Sequence, residues 1–487
     1  MKKYLLIAIV AVVTAIILSS FFLSIEVKSQ PKVAKSAAYI VIAWNDLGMH
    51  CSNKNFGNLC VLPPYNNQHA QIIKVGDASN SPEILTTGYH TSYSVPGNTY
   101  SVGKTDFWTY ANALFGVSHA NNIGLTGVGL TGNMSKNGNY FHVEGIPVTP
   151  YTDADLVNEH PYQLALVRAY DTLNNLIAST QSVIPVSNEL SCVSSGCHSS
   201  ETQILNLHES VSGFNPTNTP ILCANCHQDN ALGKPGTAGT PVFSAAIHSF
   251  HSDKTTDCYK CHPGPNTQCF RDVMFTQGMV CQDCHGDMAN VATTIENGRQ
   301  AWLQEPDCGN ASCHGATYAA ETNKLFRNSE GHGGLFCSAC HGSPHAILPT
   351  NQANDNVQNI ALQGYQGTLN NCSTCHGYTP SGSGPHGLFA SVIEYKPTVK
   401  SETVLYDIFP NPVSSTANIS FLLGDKAKVV LQIINNAGQR VRLLLEQSLN
   451  QGEYHVNIKT NDLAAGTYYY TLRVGSTQFT KKMLIVK

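Results

Sequence analysis

The sequence contains few charged residues and only one long apolar segment. Charged residues make up 12% of the 487 residues, and the formal net charge is −4. A weakly acidic chain without basic clusters does not have the electrostatic footprint of a nucleic-acid-binding protein, so we expect no nucleic-acid partner. After residue 23 no apolar run is long enough to span a bilayer, which predicts a mature protein that is soluble or attached to a surface.

The N-terminus has the pattern of a secretory signal. Two lysines precede an apolar run over residues 4–23, and a cleavage position lies just before Gln30. The alternative is a retained transmembrane anchor, because the run is nearly long enough to span a bilayer. We favour a signal peptide over residues 1–29, since the C-terminus also indicates export.

Residues 30–190 are predicted to form a β-sandwich-like domain. Residues 39–43 form a short apolar strand, and two strands over 162–170 and 177–186 flank a turn cluster, which predicts a hairpin. Turn signals such as Gly132-Asn133 recur between short apolar runs. This spacing of strands and turns is typical of a two-layer β domain.

Residues 396–487 lack cysteine and are predicted to form a second all-β domain, an Ig-like β-sandwich. Strand patterns cover 429–434, 466–472 and 479–486, and the first is followed by a turn at 435–438. The size and alternation are those of one small sandwich.

The section at 191–395 holds 15 of the 17 cysteines, and 14 of these form seven motifs in which histidine follows two cysteines. This is the attachment pattern of a c-type haem: the thiols bond the porphyrin and the histidine ligates the iron. Zinc ribbons and redox dithiols also pair cysteines, but they need no histidine after every pair. In chain order the motifs are Cys192/Cys197/His198, Cys223/Cys226/His227, Cys258/Cys261/His262, Cys281/Cys284/His285, Cys308/Cys313/His314, Cys337/Cys340/His341 and Cys372/Cys375/His376.

The density of these motifs predicts a section whose core is made of seven c-type haems. There is about one motif per 26 residues between 192 and 376. So little polypeptide cannot insulate each porphyrin, and neighbouring haems are expected to lie close together. We therefore expect an irregular fold with short helices, and a function in electron transfer rather than an enzyme.

Seven irons need seven further axial ligands if each is held by two histidines. The section offers six more histidines, and the β-rich domain is expected to supply the seventh, His50, from a polar loop. The predicted distal ligands are His50, His208, His248, His251, His332, His345 and His386. The alternatives for the seventh position are an open iron, a ligand from another subunit, or one of His69, His90, His119, His142, His160, Met274, Met279 and Met288.

Three cysteines lie outside the motifs. Exported cysteines usually pair, and a Cys51–Cys60 disulfide is the simplest arrangement, leaving Cys269 free. A Cys51–Cys269 disulfide would instead join the β-rich domain to the motif section, and a small metal site using His50, Cys51 and Cys60 is a third option.

The motif section resembles the multihaem c-type cytochromes of extracellular electron-transfer systems. The resemblance covers about 200 residues and lies in the seven motifs and in the segments 331–337, 340–345 and 46–51. It implies electron exchange with other cytochromes or redox proteins and with an extracellular acceptor, and it fixes no single substrate.

The C-terminal section resembles the type A sorting domain of type IX secretion. The matching residues are 409–412, the turn around Ala437-Gly438, residues 466–469 and the closing run 481–486. The resemblance implies contact with the type IX secretion machinery, delivery to the cell surface of a Bacteroidota-like cell, and removal of the domain on export. The alternative is a permanent β-sandwich adhesion module.

Three functions follow from these patterns. The leading hypothesis is a cell-surface or secreted electron conduit. The second is a multihaem reductase or oxidase of a small inorganic substrate, which needs one iron with an open face. The third is a polymerising cytochrome filament, in which an oligomer completes the ligand set.

Overall fold

The computed structural model describes residues 38–487 except 213, 265, 311–312, 316–320, 322–323, 381–383, 388–392, 397–402 and 409. The predicted signal peptide over residues 1–29 and Phe409 of the sorting pattern lie outside the described residues. None of the described helices is long and apolar enough to cross a membrane.

Residues 39–187 contain two five-stranded sheets. The strands of this region are β1 (Tyr39–Trp44), β2 (His50–Cys51), β3 (Leu59–Cys60), β4 (Asn67–Lys74), β5 (Glu83–Leu85), β6 (His90–Ser94), β7 (Thr131–Asn133), β8 (Ser135–Asn137), β9 (Tyr140–Glu144), β10 (Tyr162–Tyr170) and β11 (Leu176–Ser187). All of them except β3 belong to these two sheets. One sheet has the order β1-β4-β9-β8 with β5 on β4, and the other has the order β2-β11-β10-β6-β7. Both contribute to one apolar core that includes Val41, Phe141 and Val167, so this region is a β-sandwich.

The predicted strand over 39–43 and the predicted hairpin are confirmed. Alternate residues of β10 are buried, as expected for a strand with one face on the core. The predicted turn at Gly132-Asn133 is wrong, because both residues lie in β7. Gly132 faces Tyr93, and a Cβ there would lie 3.3 Å from the tyrosine ring, so this glycine serves close packing rather than a turn.

The motif section is built from short helices, as predicted. Helix α1 (Phe107–Phe115) precedes it within the sandwich region. The helices of the section are α2 (Glu201–Ser212), α3 (Phe243–His251), α4 (Val273–Thr276), α5 (Cys281–His285), α6 (Met288–Glu296), α7 (Cys337–His341), α8 (Ala353–Gln363) and α9 (Ser373–His376), with 3-10 turns at Cys223–Asn225, Cys258–Lys260, Phe326–Asn328, His332–Gly334 and Pro385–Gly387. A short strand, β12 (Ile221–Leu222), pairs with β3 of the sandwich region.

Apolar packing joins this section to the sandwich. One buried cluster combines Ile42 and Trp44 of β1 with Phe336 and Ala339 near the sixth motif. A second combines Phe107 of α1 with Leu222 and Ala224 near the second motif, among other residues. The apolar clusters that involve described residues of the motif section therefore also use side chains of the sandwich region.

The C-terminal section contains two four-stranded sheets. Its strands are β13 (Ile393–Lys396), β14 (Val404–Leu405), β15 (Thr416–Leu423), β16 (Ala427–Asn435), β17 (Arg440–Leu449), β18 (Gly452–Lys459), β19 (Gly466–Val474) and β20 (Thr477–Ile485). The sheet orders are β13-β18-β15-β14 and β17-β16-β19-β20, and residues such as Leu431 and Leu472 fill a shared core. The predicted strands and the turn at 435–438 are confirmed, with Gly438 at φ 76°.

Candidate metal centres

Within the described part of the chain, six motif histidines each face a second histidine ring. In every pair the second ring belongs to a predicted distal ligand, and the ring centres lie 5.9–6.4 Å apart. The pairs are His198 with His251, His227 with His208, His262 with His248, His285 with His345, His376 with His332, and His341 with His386.

This separation fits two axial ligands of one haem iron. Imidazoles on opposite faces of one metal, with bonds of about 2 Å and about 1 Å more from nitrogen to ring centre, put their ring centres about 6 Å apart. Direct packing does not require this separation in six independent pairs. The residues present therefore fit six haems, each held by a motif and one remote histidine.

Backbone contacts fix the tautomer of three of these rings. The Nδ1 atoms of His227, His248 and His251 lie 2.8, 2.7 and 2.8 Å from the carbonyl oxygens of Pro241, Ser244 and Ile247. A carbonyl can only accept, so each Nδ1 donates and each Nε2 keeps a lone pair for a metal.

Several rings are also held in the neutral form that binds iron. Burial, together with the charge of neighbouring imidazoles, lowers the pKa of His262, His341 and His345 to about 4. Neutral imidazole is the ligating species, so no proton has to be displaced at neutral pH.

The pairing does not follow distance along the chain. His332 lies five residues before Cys337, yet it faces His376 of the seventh motif. His345 lies four residues after His341, yet it faces His285 of the fourth motif. Sequence alone predicted these histidines to be ligands but gave no means of assigning them to particular motifs.

Each motif histidine and the remote histidine that faces it form one candidate centre, and helix α3 connects two of these centres. His248 and His251 are one turn apart at its C-terminal end, and they face the third and first motifs respectively. Residues three apart on a helix lie on the same side, so the two centres must be close neighbours.

The motif thiols show which other centres are adjacent. In each of the following pairs, burial raises the pKa of the first thiol, and the second thiol, which belongs to a neighbouring motif, raises that pKa further. The pairs are Cys223 with Cys192, Cys261 with Cys192 and Cys197, Cys281 with Cys258, Cys284 with Cys313, Cys308 with Cys284, Cys337 with Cys308, and Cys340 with Cys375. Neighbouring thiols therefore link the seven motifs into one connected group.

Four motif cysteines lie at the surface of the described chain. In each case the second cysteine of the motif is exposed and the first is only partly so; the exposed residues are Cys197, Cys226, Cys284 and Cys313.

Cys226 is one of these exposed residues. It directly follows the 3-10 turn Cys223–Asn225, and its N–H donates to the Cys223 carbonyl at 3.2 Å. Its own carbonyl accepts from the Thr237 N–H at 2.7 Å. The structure does not place Cys226 in a protein core, and its bond to a haem stays a prediction.

The fifth motif has a different setting. His314 is exposed, and residues on both sides of it lie outside the described part of the chain. His50, predicted to be a distal ligand, is buried in the sandwich with Nε2 3.2 Å from Asp46 Oδ1. Assignment of His50 to an iron therefore stays a prediction.

The three cysteines outside the motifs separate into two places. Cys60 is fully buried beside Leu222, and Cys223 is its neighbouring thiol. Burial raises the pKa of Cys51, and its neighbouring thiol is Cys269. Cys51, Cys60 and Cys269 are free thiols in this structure, and their pairing stays a prediction. Among the described residues, no group of three or more His, Cys, Asp or Glu side chains is arranged to hold a bare metal ion.

One buried ion pair beside these centres was not predicted. The Arg271 guanidinium bonds both carboxylate oxygens of Asp355 at 2.7 and 2.8 Å, and the two side chains are 1% and 2% exposed. A single arginine between motifs has no periodic signal, and its only sequence hint is the scarcity of charge around it.

With this geometry in place, comparison with known proteins identifies the C-terminal section. Residues 407–487 match the family described as "Secretion system C-terminal sorting domain". The chain carries a type IX sorting domain. It directs the protein to the cell surface or the extracellular space and implies contact with the secretion machinery. The predicted sorting domain and localisation are thereby confirmed.

Other comparisons add little. No curated protein sequence matches the chain. The Ig1 domain of mouse SynCAM 2 is 14% identical over 20% of this chain and 92% of its own, with a TM-score of 0.11. Dimeric latent PorU from Porphyromonas gingivalis is 10% identical over 92% of this chain and 34% of its own, with a TM-score of 0.14. At these scores neither likeness bears on the fold or function of this chain.

Proposed function

We propose that this protein is a multihaem c-type cytochrome of the cell surface or extracellular space that passes electrons along seven covalently bound haems. The observation that carries the proposal is the set of six histidine pairs, each formed by a motif histidine and a remote histidine about 6 Å away. Bound haem iron would supply one-electron chemistry by cycling between its ferric and ferrous states.

The chain's own residues have three tasks in this proposal. Motif cysteines hold each ring covalently, motif histidines ligate from one side, and remote histidines close the other side. A centre closed on both sides has no position for a substrate, so these six centres favour an electron carrier over an enzyme.

The adjacency of the motifs supports a continuous path. Helix α3 brings the first and third centres together, and the thiols of Cys258 and Cys281 join the third and fourth. Export to the cell surface supports a partner or acceptor outside the cell.

The proposal is tested on purified, exported, haem-loaded protein. We expect seven covalently attached haems per chain by mass and by pyridine haemochrome absorbance, with mostly low-spin iron in electron paramagnetic resonance spectra. Reduced protein should be reoxidised by a soluble ferric chelate in stopped-flow experiments. An exported protein whose motif cysteines carry no haem would refute the proposal.

A distal-ligand variant tests the pairing directly. His248→Ala should open one iron, which becomes high-spin and binds carbon monoxide. His455→Ala is the matched control, because this histidine lies on β18 of the C-terminal sandwich and its Nδ1 lies 2.7 Å from Ser420 Oγ. A wild-type protein with one iron that already binds carbon monoxide would instead favour the reductase hypothesis.

A further inference from the structure

The loop between β1 and β2 of the sandwich packs on the segment that carries His345. Ser343 Oγ donates to the carbonyl oxygen of Asn45 at 2.6 Å. Gly48 lies so close to this segment that a Cβ there would be 1.9 Å from the carbonyl oxygen of Pro344. A residue with a Cβ atom at position 48 would collide with Pro344. Gly48 also has φ +78°, a backbone conformation that favours glycine.

Arg271 ties the same segment in place from the other side. Its backbone N–H donates to the His345 carbonyl at 3.0 Å, and its Nη1 donates to the Gly48 carbonyl at 2.7 Å. Asp355 holds the rest of the guanidinium. The pair is almost fully buried, so the position of Arg271 is fixed on several sides.

The backbone at His345 shows why such support is needed. This residue has φ 64°, a left-handed conformation that costs a non-glycine residue about 1–2 kcal/mol. Strained conformations persist only where the surrounding structure over-determines them. The Asn45–Gly48 loop and Arg271 are the surroundings that do so here.

The segment of a second distal ligand is also held by the sandwich. Gln71 of β4 is fully buried, and its Nε2 donates to the Gly334 carbonyl at 2.9 Å. Its Oε1 accepts from the Phe336 N–H at 3.3 Å, and Asn139 Nδ2 donates to the same Gly334 carbonyl at 2.9 Å. Gly334 lies in the same 3-10 turn as His332.

The seventh motif contacts the same region of the sandwich. The Gly76 N–H donates to the Cys375 carbonyl at 2.8 Å. A Cβ at Gly377 would lie 2.4 Å from the Gly76 carbonyl oxygen. Both the motif that carries His376 and the segment that carries its partner His332 are thus held by the sandwich.

The first three centres are arranged differently. Their remote histidines are His208 on helix α2 and His248 and His251 on helix α3. These helices belong to the motif section, and the Nδ1 atoms of His248 and His251 bond to carbonyls of their own helix.

We infer that the β-sandwich is the platform that positions the distal histidines of the fourth and seventh haems, with Gly48, Arg271 and Gln71 as positioning residues for His345 and His332. The inference rests on the proposed function and extends it, because it gives the N-terminal domain a role in setting the ligation of two particular irons. The remote histidines of the first three pairs instead lie on helices of the motif section.

Gly48→Ala tests the fourth haem. The added methyl collides with Pro344 and should displace His345, so that one of the seven haems becomes high-spin and binds carbon monoxide. Gly103→Ala is the matched control, since Gly103 has φ +86° but no atom within 4 Å of an added Cβ. The control carries the same kind of backbone strain and should keep the wild-type spin states.

Gln71→Leu tests the seventh haem and remains informative if Gly48→Ala does not fold. Loss of both hydrogen bonds should release the His332 segment and again open one haem. Gln68→Leu is the matched control on the same strand, because Gln68 is fully buried and bonds to Val183 and Ser182 inside the sandwich.

Arg271→Lys and Arg271→Met separate charge from geometry. Lysine keeps the positive charge without the fork of donors, and methionine keeps neither. We expect both variants to loosen the ligation of one haem, and we expect the potential of that haem to fall further in Arg271→Met than in Arg271→Lys.

Haem content and haem ligation test the proposed function and the platform separately. Wild-type protein without haem would refute the proposed function itself. Seven low-spin haems in the wild type, retained without carbon monoxide binding in folded Gly48→Ala and Gln71→Leu, would overturn only the platform. Equal loss of ligation in the variants and in their controls would also overturn it.

Discussion

The C-terminal sandwich and the motif section reach stability by different means. The sandwich buries its own aliphatic side chains, such as Leu431 and Leu472, between two sheets. In the motif section Phe250 on helix α3 is 63% exposed. The described apolar clusters that contain residues of this section also contain side chains of the N-terminal sandwich. A sequence rich in alternating apolar residues can build its own core, whereas a sequence of short loops and cysteine-histidine motifs requires another source of buried surface.

The strongest test of this contrast is production of the chain without haem attachment. In cells that lack cytochrome c maturation, we expect the motif section to remain unfolded, because little of its apolar surface packs against itself. Residues 403–487 should still fold. Limited proteolysis with peptide mass mapping measures both, and a motif section as resistant as the C-terminal sandwich would contradict the contrast.

A core truncation in the C-terminal sandwich sharpens the comparison. Leu431 is fully buried, so Leu431→Ala should lower the free energy of unfolding of this domain by about 2–5 kcal/mol. Leu443→Ala is the control on the neighbouring strand, where the side chain is 44% exposed. Denaturant unfolding followed by hydrogen exchange should show the loss only in the first variant, with the haem spectra unchanged in both.

A smaller loss of stability is expected from substitutions in the turn between β16 and β17. Gly438 has φ +76° with open space around an added Cβ, so Gly438→Ala should cost about 1 kcal/mol through backbone strain alone. Gly438→Asn should cost less, because asparagine tolerates this conformation better. Equal losses in both variants, measured by thermal unfolding, would argue against strain as the cause.

The smallest effect that we expect is a change of the stability of the N-terminal sandwich with pH. Burial alone would raise the pKa of Asp153, but hydrogen bonds from Lys104 and Thr99 outweigh it and leave the pKa below its ordinary value. Lys104 Nζ lies 2.7 Å from Asp153 Oδ1. Because the folded pKa is lower than the unfolded value of about 3.9, this carboxylate contributes stability above that pH and loses it as the pH falls through the folded pKa.

Asp153→Asn therefore should destabilise the sandwich at neutral pH and differ progressively less from the wild type at acidic pH. Thermal proteolysis of sandwich peptides at several pH values measures this. Asp425→Asn, at an exposed position of the C-terminal sandwich, removes one charge as a control. A difference that is constant with pH would show that titration of Asp153 is not the cause.

Local patterns determined much of what is described here. The turn cluster between residues 170 and 177 predicted the hairpin of β10 and β11, and the glycine turn at 435–438 predicted the connection between β16 and β17, because both depend only on residues close in sequence. The sorting domain was identified for the same reason. The turn prediction at Gly132 was wrong because the role of this glycine depends on packing against Tyr93, a residue of another strand.

The sequence by itself also determined which residues form the seven motifs, because two thiols and an imidazole must be neighbours along the chain to attach one haem. Only the tertiary structure decided that His345 faces His285 and that His332 faces His376. It likewise decided that Gly48, Arg271 and Gln71 support those rings. These relations join residues far apart in the chain, and long-range contacts are set by how whole elements pack rather than by any local pattern.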